Sequence, residues 1–226
     1  MGNLLPHRSL GSQRKVDSMT YKIAILVGSL REGSLNRKIA RSICAIRNDG
    51  LDCSMVEIGD LPLYNQDLET SNPPVQWTRF RDQVQPVDGV LFVSPEYNRG
   101  IPGALKNAID VGSRPYGQSV FDKKPGAIVT VSPGAIGGFG ANHQIRQACV
   151  FLNMPVMQQP EAYLGHVSDD SFDRDGNLKD GGLKDLVTKL AHAFHDWVDM
   201  IHRSRAILAD DAADKTGQAA GQRAHA

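Results

Sequence analysis

Five short strand-like runs alternate with five segments of helical periodicity, and this alternation restricts the chain more than any other feature. KIAILVG (22–28) is a nearly continuous apolar run, the pattern of a strand covered on both faces. SLNRKIARSICAI follows, with Leu35, Ile39, Ile43 and Ile46 at helical spacing and Ser34 placed to cap the helix. LDCSMVEI (51–58) reads as a second strand, DLPLYNQDLETSNPP (60–74) as a long loop and VQWTRFRDQV (75–84) as a helix. DGVLFVS (88–94) and KPGAIVTVS (124–132) are the third and fourth strands. The loop PEYNRGIPG and the helix ALKNAIDVG lie between them, and the loop PGAIGGFG and the helix ANHQIRQACVFLN follow. MPVMQQPEAYL contains a short fifth strand. The last helix spans roughly 180–204, where Leu183, Leu186, Val187, Leu190, Phe194, Trp197, Val198 and Ile201 make one apolar stripe. Strand–helix alternation predicts a parallel, doubly wound sheet, and right-handed crossovers leave few topologies. The expected fold is an α/β flavodoxin-like three-layer sandwich with strand order 2-1-3-4-5.

In such a sheet a ligand sits outside the carboxyl ends of the strands, beside strand 1, where the winding reverses. The loops after strands 1, 3 and 4 should therefore converge, and they are the ones richest in Gly, Ser, Pro and Asn. The first, GSLREGSLN (28–36), has the two glycines of a nucleotide-binding P-loop, Gly28 and Gly33, at the right separation. Ser34 and Leu35 then stand where that motif needs Lys and a hydroxyl residue, so the groups that hold a triphosphate and its magnesium are missing. What remains is a run of backbone N–H groups at a helix N-terminus, with donors at Ser29, Ser34 and Asn36 and one countercharge at Arg31. That set suits a terminal monophosphate. An ordinary strand-to-helix turn would also contain a Gly-Ser pair and a Ser cap.

The second loop is stiffened by Pro95 and Pro102 and opened by Gly100 and Gly103. Tyr97 offers a flat face and Asn98 an amide, as a planar heterocycle would require; the competing reading packs Tyr97 into the core of a structural loop. In the third loop, Ser132 is the natural side-chain donor. A monophosphate site beside a planar-ring site in a flavodoxin-like sheet indicates FMN.

The motifs GSLREGSLN (28–36), DLPLYNQDLE (60–69), SPEYNRGIPGALKNAID (94–110) and SPGAIGGFGANHQIRQ (132–147) occur in order, and with them the chain resembles the NADPH-dependent FMN reductases, close to their bacterial chromate/quinone reductase branch. The resemblance covers about residues 20–202. It implies that Ser29, Leu30, Arg31, Ser34, Leu35 and Asn36 hold the FMN phosphate and ribityl chain. It places the ring against Pro95, Glu96, Tyr97 and Asn98, with a further contact at Ser132. It implies NADPH or NADH as co-substrate and ping-pong hydride transfer through bound FMN to a small-molecule acceptor: a quinone, chromate, an azo compound or free flavin. No catalytic side chain is implied; Glu96 is expected to structure its loop, or to offer only its backbone amide to the ring, in preference to proton chemistry. A homodimer or homotetramer is expected, with the PGALKNA helix in the contact. The rival class, a flavodoxin-type one-electron carrier, usually needs a strongly charged face to steer its partners.

The chain has a formal net charge of +0, which argues against both that steering and nucleic-acid binding as a main role. No apolar run approaches the ~18–20 residues of a membrane helix. The three cysteines, Cys44, Cys53 and Cys149, are widely spaced without a CxxC pair. They are expected to be free thiols in a reducing compartment, which points to the cytoplasm. Cys149 is expected in the core. DDSFDRDGN (169–177) hints at a calcium loop, but its twelfth position is Gly182 where Glu is needed, so an exposed acidic turn is expected and no metal site. The expected domain is 19–205. Residues 1–18 are basic and lack a signal peptide's apolar core, and 206–226 are polar and Ala/Gly-rich; both ends are expected to be disordered.

Overall fold

A computed structural model describes residues 19–47 and 49–224, the last twelve of these by backbone alone. Five parallel strands, β1 (Tyr21–Val27), β2 (Leu51–Met55), β3 (Gly89–Ser94), β4 (Gly126–Val131) and β5 (Ala162–Leu164), lie in the order β2-β1-β3-β4-β5. The helices are α1 (Leu35–Ile46), α2 (Val75–Val84), α3 (Gly103–Gly112), α4 (Phe139–Phe151) and α5 (Gly182–Ala224). This is the flavodoxin-like arrangement expected from the alternation.

Successive side chains of a strand point to opposite faces, and here both faces are covered. Ile23, Ile25 and Val27 of β1, with Leu91 and Val93 of β3, pack under α1 (Ile39, Ile43) and α5 (Val187, Leu190, Phe194, Val198). Ala24 and Leu26, with Val90 and Phe92, pack against α2 (Trp77, Phe80, Val84) and α3 (Leu105, Ala108, Val111). β3 and β4 are buried at every position, which is why their sequences are apolar apart from Ser94 and Thr130. Each large side chain buried this way contributes about 1.5–3 kcal/mol.

Register aligns the strand ends that matter. Val27 lies opposite Val93, and Ser94 opposite Thr130, so β1, β3 and β4 finish level with one another.

Three sequence readings need correction. Helix α4 starts at Phe139, two residues before its expected beginning at Ala141, because Gly138 adopts φ 79° and turns the chain into the helix. Helix α5 continues to Ala224, past the boundary expected at 205. The Ala, Asp, Lys and Gln that make 206–224 look like a polar tail also carry adequate helix propensity. The expected lead 1–18 lies outside the described residues.

The third correction is larger. Cys44 on α1 and Cys53 on β2 form a disulfide, with Cα atoms 6.1 Å apart. α1 returns over the strand beside it, so two cysteines nine residues apart meet without any local motif. Cys149 is the remaining thiol, buried under α4 as expected, and burial pushes its pKa up to about 12. A thiol reagent should therefore find no reactive group in the native protein. It should find one after unfolding without reductant, and three after unfolding with reductant. Three in both unfolded samples would exclude the disulfide.

Asp173 of the acidic turn accepts from the backbone N–H groups of Asp175 (2.9 Å) and Asn177 (2.8 Å), so its carboxylate serves the turn itself. On α5, His195 is buried against Tyr21, and His202 stacks on the same ring.

Candidate active site

The loops after β1, β3 and β4 converge at one edge, on neighbouring strands about 4.8 Å apart. The β1–α1 loop begins where Gly28 N–H donates to Val93 O (2.9 Å). A Cβ at Gly28 would lie 2.7 Å from Ser94 Oγ, so glycine is required by the close approach of β3. Ser29, Ser34 and Asn36 are buried, while Leu30 and Arg31 are exposed and Leu35 is half-buried. Ser34 caps α1 as expected, its Oγ accepting from Arg37 N–H at 3.2 Å. The N–H groups of Leu35 and Asn36 precede the first full turn and have no intrahelical acceptor. The amide oxygen of Asn36 is buried with no donor in contact, a polar atom that a ligand hydroxyl would satisfy.

The β3–α3 loop is a tight hairpin. Tyr97 and Gly100 exchange both backbone hydrogen bonds (3.1 and 3.0 Å). The central residues, Asn98 (φ 50°) and Arg99 (φ 67°), are both left-handed without being glycine. That backbone costs about 1–2 kcal/mol per residue, and strain of this kind concentrates at ligand sites. Pro95 is half-buried and Asn98 exposed. Tyr97 is 50% exposed, so its ring is presented at the edge and not packed into the core.

Glu96 does what loop structuring requires. One carboxylate oxygen accepts from Ala141 N–H (3.0 Å) at the start of α4, and the other accepts from Arg99 (3.3 Å). Negative charge at a helix N-terminus is favourable there. Gln144 adds a second tie, accepting from Ile101 N–H at 3.0 Å. In the β4–α4 loop, Ser132 Oγ accepts from Gly134 N–H (3.0 Å) and holds the turn closed.

Sequence reasoning missed the support under this edge. Asn107 of α3 is buried; its amide donates to Leu61 O and Pro62 O (both 3.1 Å) and accepts from Tyr64 N–H (2.7 Å). Trp77 Nε1–H donates to Pro62 O (2.9 Å), and a largely buried Arg81–Glu69 pair closes the far end of the same segment. The motif DLPLYNQDLE is thus pinned to α2 and α3. The only sequence signal was a polar Asn in the apolar face of α3.

The sequence of residues 21–169 matches the family described as NADPH-dependent FMN reductase. The chain belongs to that family. The reductase is 55% identical over 183 residues to a quinone reductase of Pseudomonas putida, an alignment covering 81% of this chain and 97% of the relative. It is 41% identical over 180 residues to a 2-hydroxy-1,4-benzoquinone reductase of a Burkholderia species, covering 80% and 97%. Among solved structures it resembles FerB, a flavoenzyme NAD(P)H:acceptor oxidoreductase of Paracoccus denitrificans, with TM-score 0.76, 35% identity, and coverage of 80% of this chain and 98% of FerB. No helix among the described residues of the reductase is long and apolar enough to cross a membrane.

Proposed function

We propose that the chain is an FMN-dependent NAD(P)H oxidoreductase whose acceptors are quinones first, and chromate, azo compounds or free flavin as further oxidants. The observation that carries this reading is the meeting of an anion-sized helix N-terminus with a rigid, aromatic-bearing loop on adjacent strands, in a chain of this family. FMN, when bound, supplies the hydride-accepting and electron-donating chemistry.

The chain's own residues bind and orient. Arg31 and the N–H groups of Leu35 and Asn36 face the position of a phosphate dianion, with Ser29 and Ser34 hydroxyls as neutral donors. With FMN bound, the buried, unpartnered amide oxygen of Asn36 would accept from a hydroxyl of the sugar-alcohol chain, and Leu30 would pack on that chain. Pro95, Glu96, Tyr97 and Asn98 present backbone and one aromatic face to the ring. Ser132 and the backbone of its loop would add a further contact to the ring. Glu96 serves through its backbone, because its carboxylate is engaged by Ala141 N–H and Arg99. No side chain is assigned to proton exchange; placement and electrostatics are the protein's contribution.

An open site of this kind lets the nicotinamide and the acceptor occupy the same ring face in turn. Steady-state kinetics with NADPH and a quinone varied together should give parallel double-reciprocal lines, and NADPH alone should bleach the bound flavin anaerobically. Intersecting lines would require a ternary complex. A flavin untouched by NADPH would return the protein to the electron-carrier class.

We also infer a homodimer or homotetramer, and a cytoplasmic location on the single ground that NAD(P)H is supplied there. With Cys44 and Cys53 bonded, free thiols no longer point to that compartment. The support for assembly is the adjacent, strongly exposed pair Val150 and Phe151 at the end of α4. Light scattering at micromolar concentration should report at least a dimer; a monomer alone would refute it.

A further inference from the structure

Phe139, His143 and Tyr163 form a three-ring cluster that the assignments above leave unused. Phe139 lies 4.0 Å from His143 and 5.2 Å from Tyr163 between ring centroids, and His143 stacks on Tyr163 at 5.9 Å. Phe139 and His143 are one turn apart on α4, and Tyr163 is the middle residue of β5.

The cluster is fixed from behind. His143 Nδ1 donates to Phe139 O (3.0 Å), since a carbonyl can only accept. The Tyr163 hydroxyl donates to Glu161 (2.9 Å). Yet Phe139 is 49% exposed. A phenyl ring held at two edges and left open on the outside gains less from burial than a core residue, while keeping a defined surface.

Its place gives that surface a use. Phe139 follows directly on the Gly137–Gly138 turn, and a Cβ at Gly138 would come within 3.6 Å of Glu96 Cβ. The Glu96–Ala141 hydrogen bond clamps the first turn of α4 to the loop that carries Tyr97. The half-exposed rings of Tyr97, in the β3–α3 loop, and Phe139, in the first turn of α4, therefore sit on two segments joined by that bond.

We propose that Phe139, backed by His143 and Tyr163, is a positioning platform for the electron acceptor, against which a flat conjugated ring such as a quinone stacks as it enters. Aromatic stacking of this kind discriminates by shape: a planar acceptor gains from it and a compact octahedral anion does not. This rests on the reading of the three loops as the FMN site.

The test uses the FMN-loaded enzyme with two acceptors, a 1,4-naphthoquinone and ferricyanide. Phe139→Ala should lower kcat/KM for the naphthoquinone by about three- to tenfold. The kcat/KM values for ferricyanide and NADPH, and the dissociation constant of FMN, should stay unchanged. Phe139→Trp should restore the naphthoquinone value. Equal losses with both acceptors would mean general damage to the loop and overturn the platform, as would an unchanged naphthoquinone value. Failure of the site reading is seen separately, in unmutated protein that binds no FMN or does not oxidise NADPH.

Discussion

Arg31→Ala is expected to weaken FMN binding by about ten- to a hundredfold while leaving riboflavin affinity almost unchanged. The phosphate dianion needs countercharge, and Arg31 is the only arginine or lysine between β1 and the start of α1. Losing one charge-assisted hydrogen bond costs about 1.5–3 kcal/mol, and each 1.4 kcal/mol is tenfold. Riboflavin lacks the phosphate, so it tests the same loop without that contact. Fluorescence titration of the apoprotein with both flavins decides the matter; equal losses would move the phosphate elsewhere. Ser34→Ala serves as a contrast. It removes the cap that Arg37 N–H uses, so it should lower folding stability by about 1 kcal/mol as well as affinity. Arg31 is exposed and should change affinity without changing the melting temperature.

Gly137→Ala should cost about 2–4 kcal/mol of folding stability, the largest single-residue effect expected near the site. Gly137 has φ +64°, and a Cβ there would stand 2.5 Å from both the carbonyl carbon and oxygen of Tyr163. Those atoms are backbone, so no rotamer change relieves the clash; the loop or strand β5 must move. Gly33→Ala is the control. It has open space around the new methyl and no left-handed backbone, so its effect should stay within about 0.5 kcal/mol. Urea unfolding of the two variants reads the difference, and equal stability would show that the Gly137 turn is free to relax. Because the same loop carries Ser132, flavin affinity should fall with stability in Gly137→Ala alone.

Much of this edge was legible beforehand. The helix cap at Ser34 follows from its position before the first periodic apolar residue, whereas the need for glycine at 28 came from the approach of Ser94. The choice between two readings of Tyr97 was not legible. A tyrosine between prolines and glycines fits either a packed loop or a presented ring, and only its 50% exposure decides. Glu96 was read as a loop-structuring residue, but its partner was hidden, because Ala141 lies 45 residues away and offers a backbone N–H that any residue has. Asn107 shows the same limit. A polar residue on an apolar helix face signals a buried contact, and the chain alone does not say that the contact is the segment 61–64.

The sequence by itself determined the sheet, its strand order and which loops meet at one edge. Period-two and period-3.6 patterns are local, and the right-handed crossover turns that local order into topology. It also set the first loop apart from a triphosphate-binding P-loop, since the residues after Gly33 lack the lysine and hydroxyl. Only the tertiary structure decided the Cys44–Cys53 bond, the clamp from Glu96 to α4 and the ring cluster of Phe139, His143 and Tyr163. Each joins two elements whose relative height and rotation are set by how their buried faces interdigitate. Side-chain volumes across the core fix those few ångströms, and no periodicity along the chain records them.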